Sequence, residues 1–354
     1  MGAGNPRGRM RSEKKFRWLD LLAVIGVFVA VSLVGVKNLA ARTALTLLNV
    51  SYDPTRELYA DLNAHFVEAY ARTHDQRVAI AQSHGGSSRQ ARLTASGELQ
   101  PDVVTLGLPS DIDALRKRGL VAENWAARLP NQSRPYYSTI VFVVRRGNPH
   151  ALLDWPDLIQ PGIEVIVPDP KSSGNGKLAA LAAWGAVVTR GGSEAEARQY
   201  LRSLYEHAPF LVPAAREAGV AFAVEKIGDV HLAWENEALR EVEESGGALE
   251  IIHPPVSILA EPSVAWVDVN VARHGSAALA HDYLEYLFSD EAQQIIAREG
   301  YRPIDPRITE RYARRLPPLQ LFPVTAIARD WEDAQARFFA DDGIIDSVYR
   351  PKPR

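Results

Sequence analysis

From residue 46 onward, short apolar runs of strand character alternate with stretches of helical periodicity, and this alternation narrows the choice of fold more than any other feature. Residues 46–50 (TLLNV) read as a buried strand. Behind Pro54, the residues Leu58, Leu62 and Phe66 fall on one face at i, i+4 and i+8 with Tyr59 and Tyr70 beside them, which predicts a helix. Strands are predicted over 77–81 and 101–106, with helices over 87–99 and 112–118. Residues 138–145 and 163–167 follow as strands, 176–188 and 194–206 as helices, 230–234 and 265–271 as strands again, and 277–298 as a last long helix. Strands alternating with helices of 10–15 residues imply βαβ units, so the expected fold class is α/β with mostly parallel sheets flanked by helices. A chain of 354 residues exceeds the roughly 100–200 of one domain, and two lobes are expected. No repeat or Gly/Ser linker separates them, so the boundary is expected to be a crossing of strands.

The first 45 residues obey a different logic. Six basic side chains (Arg7, Arg9, Arg11, Lys14, Lys15, Arg17) and two acidic ones (Glu13, Asp20) precede sixteen uncharged residues, 21–36. A positive head before an apolar run is the form of an export signal, cleaved or retained as a membrane anchor. The run is short for a bilayer span, yet no clean small-residue cleavage site follows, so both remain open. Either way the body is expected to work outside the cytoplasm. Setting that head aside reduces 40 basic and 43 acidic side chains to 34 and 41, a balance of −7. No basic stripe with interleaved aromatics appears, which argues against a nucleic-acid partner.

The chain has no cysteine, which excludes disulfides, thiolate metal sites, a cysteine nucleophile and a lipidated cysteine tether. Nine histidines without H-E-x-x-H or H-x-H spacing argue against a metal site. No cofactor is expected. His84 reads as a loop residue and His231, on an apolar strand, as a core histidine.

Three junctions between a strand and a helix remain. In Gln82-Ser-His-Gly-Gly-Ser-Ser-Arg-Gln90, Ser87 and Gln90 fit an S-x-x-Q capping box. Pro170-Lys-Ser-Ser-Gly-Asn-Gly-Lys177 lacks the Gly and Ser/Thr positions of a P-loop, having Lys171 and Leu178 there, so nucleotide binding is rejected. What remains is a turn presenting free N–H groups at a helix start, a ready anion site. The third, Ala233-Trp-Glu-Asn-Glu-Ala238, ends a strand and opens a helix. Together they suggest several helix N-termini aimed at one oxyanion.

The wording of these junctions, with Ser51-Tyr-Asp-Pro-Thr-Arg-Glu-Leu-Tyr59, residues 138–149 (STIVFVVRRGNP), Leu181-Ala-Ala-Trp-Gly185 and Ala260-Glu-Pro-Ser263, closely resembles the prokaryotic sulfate-binding protein family, the solute receptors of sulfate/thiosulfate ABC importers. The resemblance spans about residues 48–330. It implies a two-lobed periplasmic binding-protein fold of type II, with sulfate or thiosulfate held between the lobes by Ser hydroxyls and backbone N–H groups. Carried onto this chain, the implied ligand-binding residues are Ser87, Ser173, Gly174, Asn175 (where the family usually has Gly), Ala215 and Trp234 through its backbone N–H. Arg216 and Asp53 are expected to support them from behind. Ala215 is placed by counting back from Trp234 across Pro213–Glu217, where the flanking glycines of the family's turn are missing. The implied partner is an ABC importer permease in the cytoplasmic membrane, and the receptor is expected to be a monomer. The expected lobes are 46–137 plus 266–300 and 142–262, with 301–354 packing back across the body. A donor-only site suits a fully ionised sulfate, whereas hydrogen phosphate needs an acceptor. Two readings from other classes remain. One is a membrane-anchored anion sensor on the same fold. The other is an exported serine hydrolase using Ser87 or Ser173, disfavoured because neither lies in a G-x-S-x-G elbow.

Overall fold

The computed structural model describes residues 45–74 and 76–349. The export signal or anchor expected over 1–45 lies outside them but for Leu45. Among the described residues no helix is long and apolar enough to cross a membrane.

The chain opens with strand β1 (Leu45–Tyr52), a 3-10 turn (Asp53–Thr55), helix α1 (Arg56–His74), strand β2 (Val78–Gly85), helix α2 (Ser87–Ser96), strand β3 (Val103–Leu106) and helix α3 (Pro109–Arg116). It crosses over through β4 (Ile140–Arg145). It continues as β5 (Val165–Pro168), α4 (Gly174–Val188), α5 (Glu194–Glu206), the short β6 (Leu211–Val212), α6 (Ala215–Gly219), β7 (Val230–Trp234), α7 (Glu235–Glu244) and β8 (Leu249–Ile252). It returns as β9 (Ser263–Trp266), then α8 (Asp268–His274), α9 (Ala277–Tyr286) and α10 (Asp290–Arg298).

These strands form two separate sheets. The first has the order β9-β3-β1-β2 and is parallel except for β9, which runs antiparallel to β3. The second has the order β6-β5-β7-β4-β8. Its pairings β5–β6 and β5–β7 are parallel, whereas β4 is antiparallel to both β7 and β8, making this sheet mixed. The reason is local: β4 enters from the first lobe instead of through a helical crossover, so nothing forces it parallel.

Each sheet buries both faces, as sheets flanked by helices must. In the first, Leu47 packs with Tyr59, Phe66, Tyr283 and Ile296, while Val50 packs on the opposite face with Leu106, Ile112 and Trp125. In β4, Ile140, Phe142 and Val144 alternate with Val141 and Val143 between the two faces of the second sheet. The chain beyond 320 closes the second lobe. Phe322, Phe338, Phe339 and Ile345 join its core against α4, with Phe338 edge-on to Trp184 at 5.0 Å. A Cβ on Gly185 would lie 2.0 Å from the Phe322 ring, so only glycine admits this packing.

Besides the mixed second sheet, two features differ from the sequence expectation. The strand expected over 265–271 ends at Trp266, and Asp268 begins α8 with an acidic group in its first turn, a favourable position. The helix expected over 277–298 breaks at Ser289, whose hydroxyl accepts from the Ala292 N–H and starts α10.

The lobes are joined where Ser138 and Ala260 exchange backbone hydrogen bonds of 2.9 Å each way. A two-stranded ribbon of Val256–Ile258 with Gln320–Phe322, and another of Tyr136–Tyr137 with Arg302–Pro303, flank this crossing. The carboxyl ends of β1, β2 and β3 on one side, and of β5 and β7 on the other, open toward the gap between the sheets, the place where open α/β sheets bind ligands.

Candidate functional site

A small cavity lies in that gap. Its walls come from both lobes: Tyr52, Asp53, Pro54, Gly86 and Ser87 from the first, and Ser173, Gly174, Asn175, Ala214, Ala215 and Trp234 from the second. The structure thus brings together all six residues implied as ligand-binding, and Asp53 with them. Arg216 is outside the wall.

Each wall segment is the start of a helix. Ser87 is the first residue of α2, Gly174 and Asn175 open α4 behind the cap Ser173, Ala215 opens α6, and Trp234 precedes Glu235 of α7. The first N–H groups of a helix have no partner within it. Four helix starts therefore bring N–H donors to one cavity, and the helix dipoles add positive potential there. No Lys, Arg or His side chain lines the cavity among the described residues.

The lobes touch at this point. A Cβ on Gly86 would lie 2.8 Å from the Ser172 carbonyl oxygen of the other lobe, and one on Gly174 would lie 3.4 Å from the Ser87 Cβ. The two glycines allow the HGGS and KSSG turns to meet.

The two serines play unequal parts. The Ser87 hydroxyl donates to Asp111 Oδ2 at 2.5 Å and accepts from the Gly107 N–H at 3.0 Å, so Ser87 has its backbone N–H left to offer. Its expected capping box does not form: Gly86 is the cap, and Gln90 donates instead to the Ser51 carbonyl and Ser83 hydroxyl. Ser173 caps α4 by accepting from the Gly176 N–H at 3.4 Å, which leaves its own proton free to donate. Asn175 donates from Nδ2 to the Leu232 carbonyl at 3.0 Å, fixing the start of α4 against β7. Its Oδ1 is buried without a partner.

Polar groups behind the wall hold these turns. Asp53 Oδ1 accepts from Arg56 at 2.7 Å, and the Pro54 carbonyl accepts from Tyr301 at 2.7 Å and from Asn236 at 3.2 Å. Arg216 pairs with Glu57 at 2.8 Å and with Glu237 at 3.5 Å. Glu235, fully buried, instead binds Arg302 through two hydrogen bonds of 2.6 and 2.7 Å and meets His253 at 3.1 Å. His84 lies 3.5 Å from the Tyr52 carbonyl, and burial holds its imidazole below the usual range. His231 is a core residue, as expected, with Nδ1 3.1 Å from Glu241.

Sequence reasoning missed the node of Ser88, Asp111 and Lys177. Lys177, on α4, is 4% exposed and donates to the Ser88 hydroxyl at 2.8 Å and to Gln335 at 2.8 Å. Ser88 donates in turn to Asp111 Oδ1 at 2.9 Å, and Asp111 lies 3.9 Å from Lys177 Nζ. Burial lowers the Lys177 pKa, while Asp111 opposes that shift. Asp111 stands in an unremarkable helix start, and no local signal connects it with Lys177.

The model of a family described as bacterial extracellular solute-binding protein matches residues 47–302. The thiosulfate-binding protein of Pseudomonas aeruginosa is 45% identical over 314 residues, 88% of this chain and 94% of that protein. The sulfate-binding protein of Escherichia coli is 44% identical over 322 residues, 89% of this chain and 98% of that one. The solved sulfate-binding protein SubI from Mycobacterium tuberculosis superposes with a TM-score of 0.74 at 29% identity, covering 83% of this chain and 99% of its own.

The chain belongs to the bacterial extracellular solute-binding protein family. Membership accounts for the gathering of chemistry-bearing residues of this solute-binding protein on helix starts and strand ends between two lobes.

Proposed function

We propose that this solute-binding protein captures sulfate or thiosulfate outside the cytoplasm and delivers it to the permease of an ABC-type importer, acting as a monomer without cofactor or metal. The observation that carries this reading is the cavity wall itself: helix starts from both lobes, a free Ser173 proton and no cationic side chain. A dianion without a proton needs donors on every side, and N–H groups at helix ends supply them where a side-chain cation is absent. Donors are assigned to the backbone N–H groups of Ser87, Gly174, Asn175, Ala215 and Trp234 and to the Ser173 hydroxyl. Asp53 and Arg216 hold their own turns in place.

The lobes are assigned as 46–137 plus 266–300 and 142–262, hinged near residues 138 and 260, with the C-terminal segment 301–354 packing back across the body. Ligand binding favours the closed arrangement because only there do donors of both lobes reach one ion. Residues 1–45 direct export, as a cleaved signal or a retained anchor, and the mass of the mature N-terminus distinguishes them. The hydrolase reading lacks support: the Ser87 proton is directed to a carboxylate, and neither Ser87 nor Ser173 bonds an imidazole among the described residues.

Calorimetric titration with sulfate, thiosulfate, molybdate and phosphate at pH 7 tests the proposal. Saturable, one-site binding of sulfate or thiosulfate is expected, with phosphate much weaker. Tight phosphate binding without sulfate binding refutes it.

A further inference from the structure

We propose that the groove between α6 and α7, on the surface of the second lobe, is where the importer's permease docks, through a Lys or Arg side chain carried on an apolar segment. The proposal rests on the reading of this protein as an anion receptor and adds the surface and the chemistry of its partner.

The helix begun by α6 does not stop at Gly219. It runs on as a π-helical turn, Val220–Val224, closed by the Glu225 N–H on the Val220 carbonyl at 3.0 Å. Such turns are rare and collect at functional sites. Here Val220, Ala223 and Val224 form one wall of a groove of about 350 Å3. Val220 is 46% and Val224 70% exposed. A single exposed valine means little, but two beside a concave surface mark a contact site for another molecule.

The facing wall, on α7, is acidic. Glu241 is 8% exposed; its Oε2 meets His231 Nδ1 at 3.1 Å, the one hydrogen bond of this carboxylate among the described residues. Its Oε1 is directed at Gly219, where a Cβ would lie 2.7 Å away. Glu244, one turn on, is exposed, with Arg240 Nε 3.7 Å from it. Arg216 and Arg240 also line the groove, but both are already held by Glu57 and Glu237. An apolar wall facing a carboxylate with spare acceptor capacity complements a Lys or Arg: the methylene stem packs on the valines and the charged head meets Glu241. The same carboxylates repel an anionic lipid surface.

The two helices that build the groove also hold the anion, since α6 opens at Ala215 and α7 opens after Trp234. A partner seated between them touches both helices whose first N–H groups face the ligand. Docking and anion affinity are then linked, each changing the other by the same factor. Handing an anion to a permease needs such a link, which favours the permease over any other basic partner.

The test measures sulfate uptake at saturating sulfate in cells whose own copy of this receptor is replaced by a variant, with calorimetry and melting on the purified protein alongside. Val220→Asp combined with Val224→Asp is expected to lower uptake about 10-fold or more, with sulfate affinity within about twofold and melting unchanged, because both side chains are exposed and outside the cavity. Glu241→Gln, which keeps the shape and removes the charge, is expected to lower uptake about 3- to 10-fold. Leu153→Asp, exposed on the same lobe outside the groove, should leave it unchanged. The absence of native cysteine supplies a second readout: Val224→Cys carrying a benzophenone maleimide is expected to cross-link the importer's membrane subunit, identified by mass spectrometry. Uptake within about twofold of the parent in the double valine variant overturns the proposal, as does an equal loss in Leu153→Asp. So does a cross-link joining two receptors, or binding to phosphatidylglycerol vesicles that the valine substitutions abolish. Failure of the parent protein to bind sulfate refutes the functional reading instead, and the cross-link to the membrane subunit then decides the docking surface alone.

Discussion

Replacing Gly86 by Ala tests whether the two lobes meet around the ligand as the structure has them. Gly86 caps α2 at φ −56° and ψ 130°, a conformation that alanine adopts without strain, and its carbonyl accepts from the Gln90 N–H at 2.9 Å in a bond that needs no glycine. Within its own lobe the new methyl comes no closer than 4.0 Å to Arg89 Cβ, whereas across the gap it comes within 2.8 Å of the Ser172 carbonyl oxygen. That oxygen cannot retreat easily. The Ser172 hydroxyl donates to the Pro213 carbonyl at 2.7 Å, and the Ser173 N–H donates to the Asp169 carbonyl at 2.9 Å.

The clash is thus absent from the open form and present in the closed one. Overpacking of one methyl against fixed atoms costs about 1–3 kcal/mol. Applied to closure alone, that is a loss of about 5- to 150-fold in anion affinity. Calorimetry is expected to show this weakening, while the melting temperature of the ligand-free protein stays within about 2 °C of the parent, because the folded open state carries no strain. An affinity within twofold of the parent would refute the argument, since the turns would then not meet in the liganded protein. A large fall in ligand-free stability would refute it too, by showing that glycine is needed within the lobe.

Ser173→Ala removes a hydroxyl free to donate to the anion and is expected to weaken sulfate binding by about 10- to 100-fold, a hydrogen bond to a charged group being worth about 1.5–3 kcal/mol. Ser87→Ala deletes a hydroxyl already committed to Asp111, so its main effect in chemical denaturation is a stability loss of about 1–3 kcal/mol, with affinity changed less than about fivefold; the reverse ranking in calorimetry contradicts the assignment. Gly185→Ala drives a methyl into the Phe322 ring and is expected to lower stability by about 2 kcal/mol or more, which a denaturant midpoint reads. Burial pushes the Glu237 carboxyl from its ordinary 4.5 up to about 7, against the pull of Arg240 and Arg216. Between those pH values the folded protein keeps a proton that the unfolded chain gives up, so folding stability falls as pH rises through that window. Urea unfolding of Glu237→Gln at pH 5 and pH 8 should lack this slope, and parallel pH profiles for variant and parent count against it. Because no cationic side chain lines the cavity, sulfate affinity should change less than about threefold between 0.02 and 0.5 M KCl; a steep salt dependence in calorimetry means that Lys or Arg reaches the ion.

The parts of the fold legible in the sequence were those written in local periodicity. Leu58, Leu62 and Phe66 mark the buried face of α1 because three consecutive turns repeat one pattern, and all three are buried in the structure. Where a single residue decides, periodicity misleads. The apolar content from Ala277 to Arg298 reads as one helix, but the Ser289 hydroxyl captures the Ala292 N–H and divides it. The four-residue strand Leu249–Ile252 is too short to show a pattern of its own and is placed by β4, with which it pairs. For the site, the junction motifs lead to the cavity wall because helix starts rich in Gly and Ser have a local signature. The groups behind the wall do not. The Lys177–Ser88 bond spans 89 positions and the Arg240–Glu57 bond 183, and each residue alone reads as an ordinary charged or polar side chain.

Charge bookkeeping around the cavity explains how an acidic body can hold an anion. Five cations behind the wall are met by carboxylates: Arg56 by Asp53, Arg216 and Arg240 by Glu57 and Glu237, Lys177 by Asp111, and Arg302 by Glu235. Each of these five is committed to its carboxylate, and none of them lines the cavity. Attraction then has to come from groups with direction but no net charge, the unpartnered N–H groups of the first helical turns. Such donors act over a few ångströms, so they serve only if both lobes bring them to the ion at once. The close approaches at Gly86 and Gly174 permit this, and the paired charges behind the wall fix the turns without competing for the anion. A lone cation in the wall would bind many anions from a distance. A ring of short-range donors demands an ion of the right size with no proton of its own, so selectivity and enclosure arise from the same geometry.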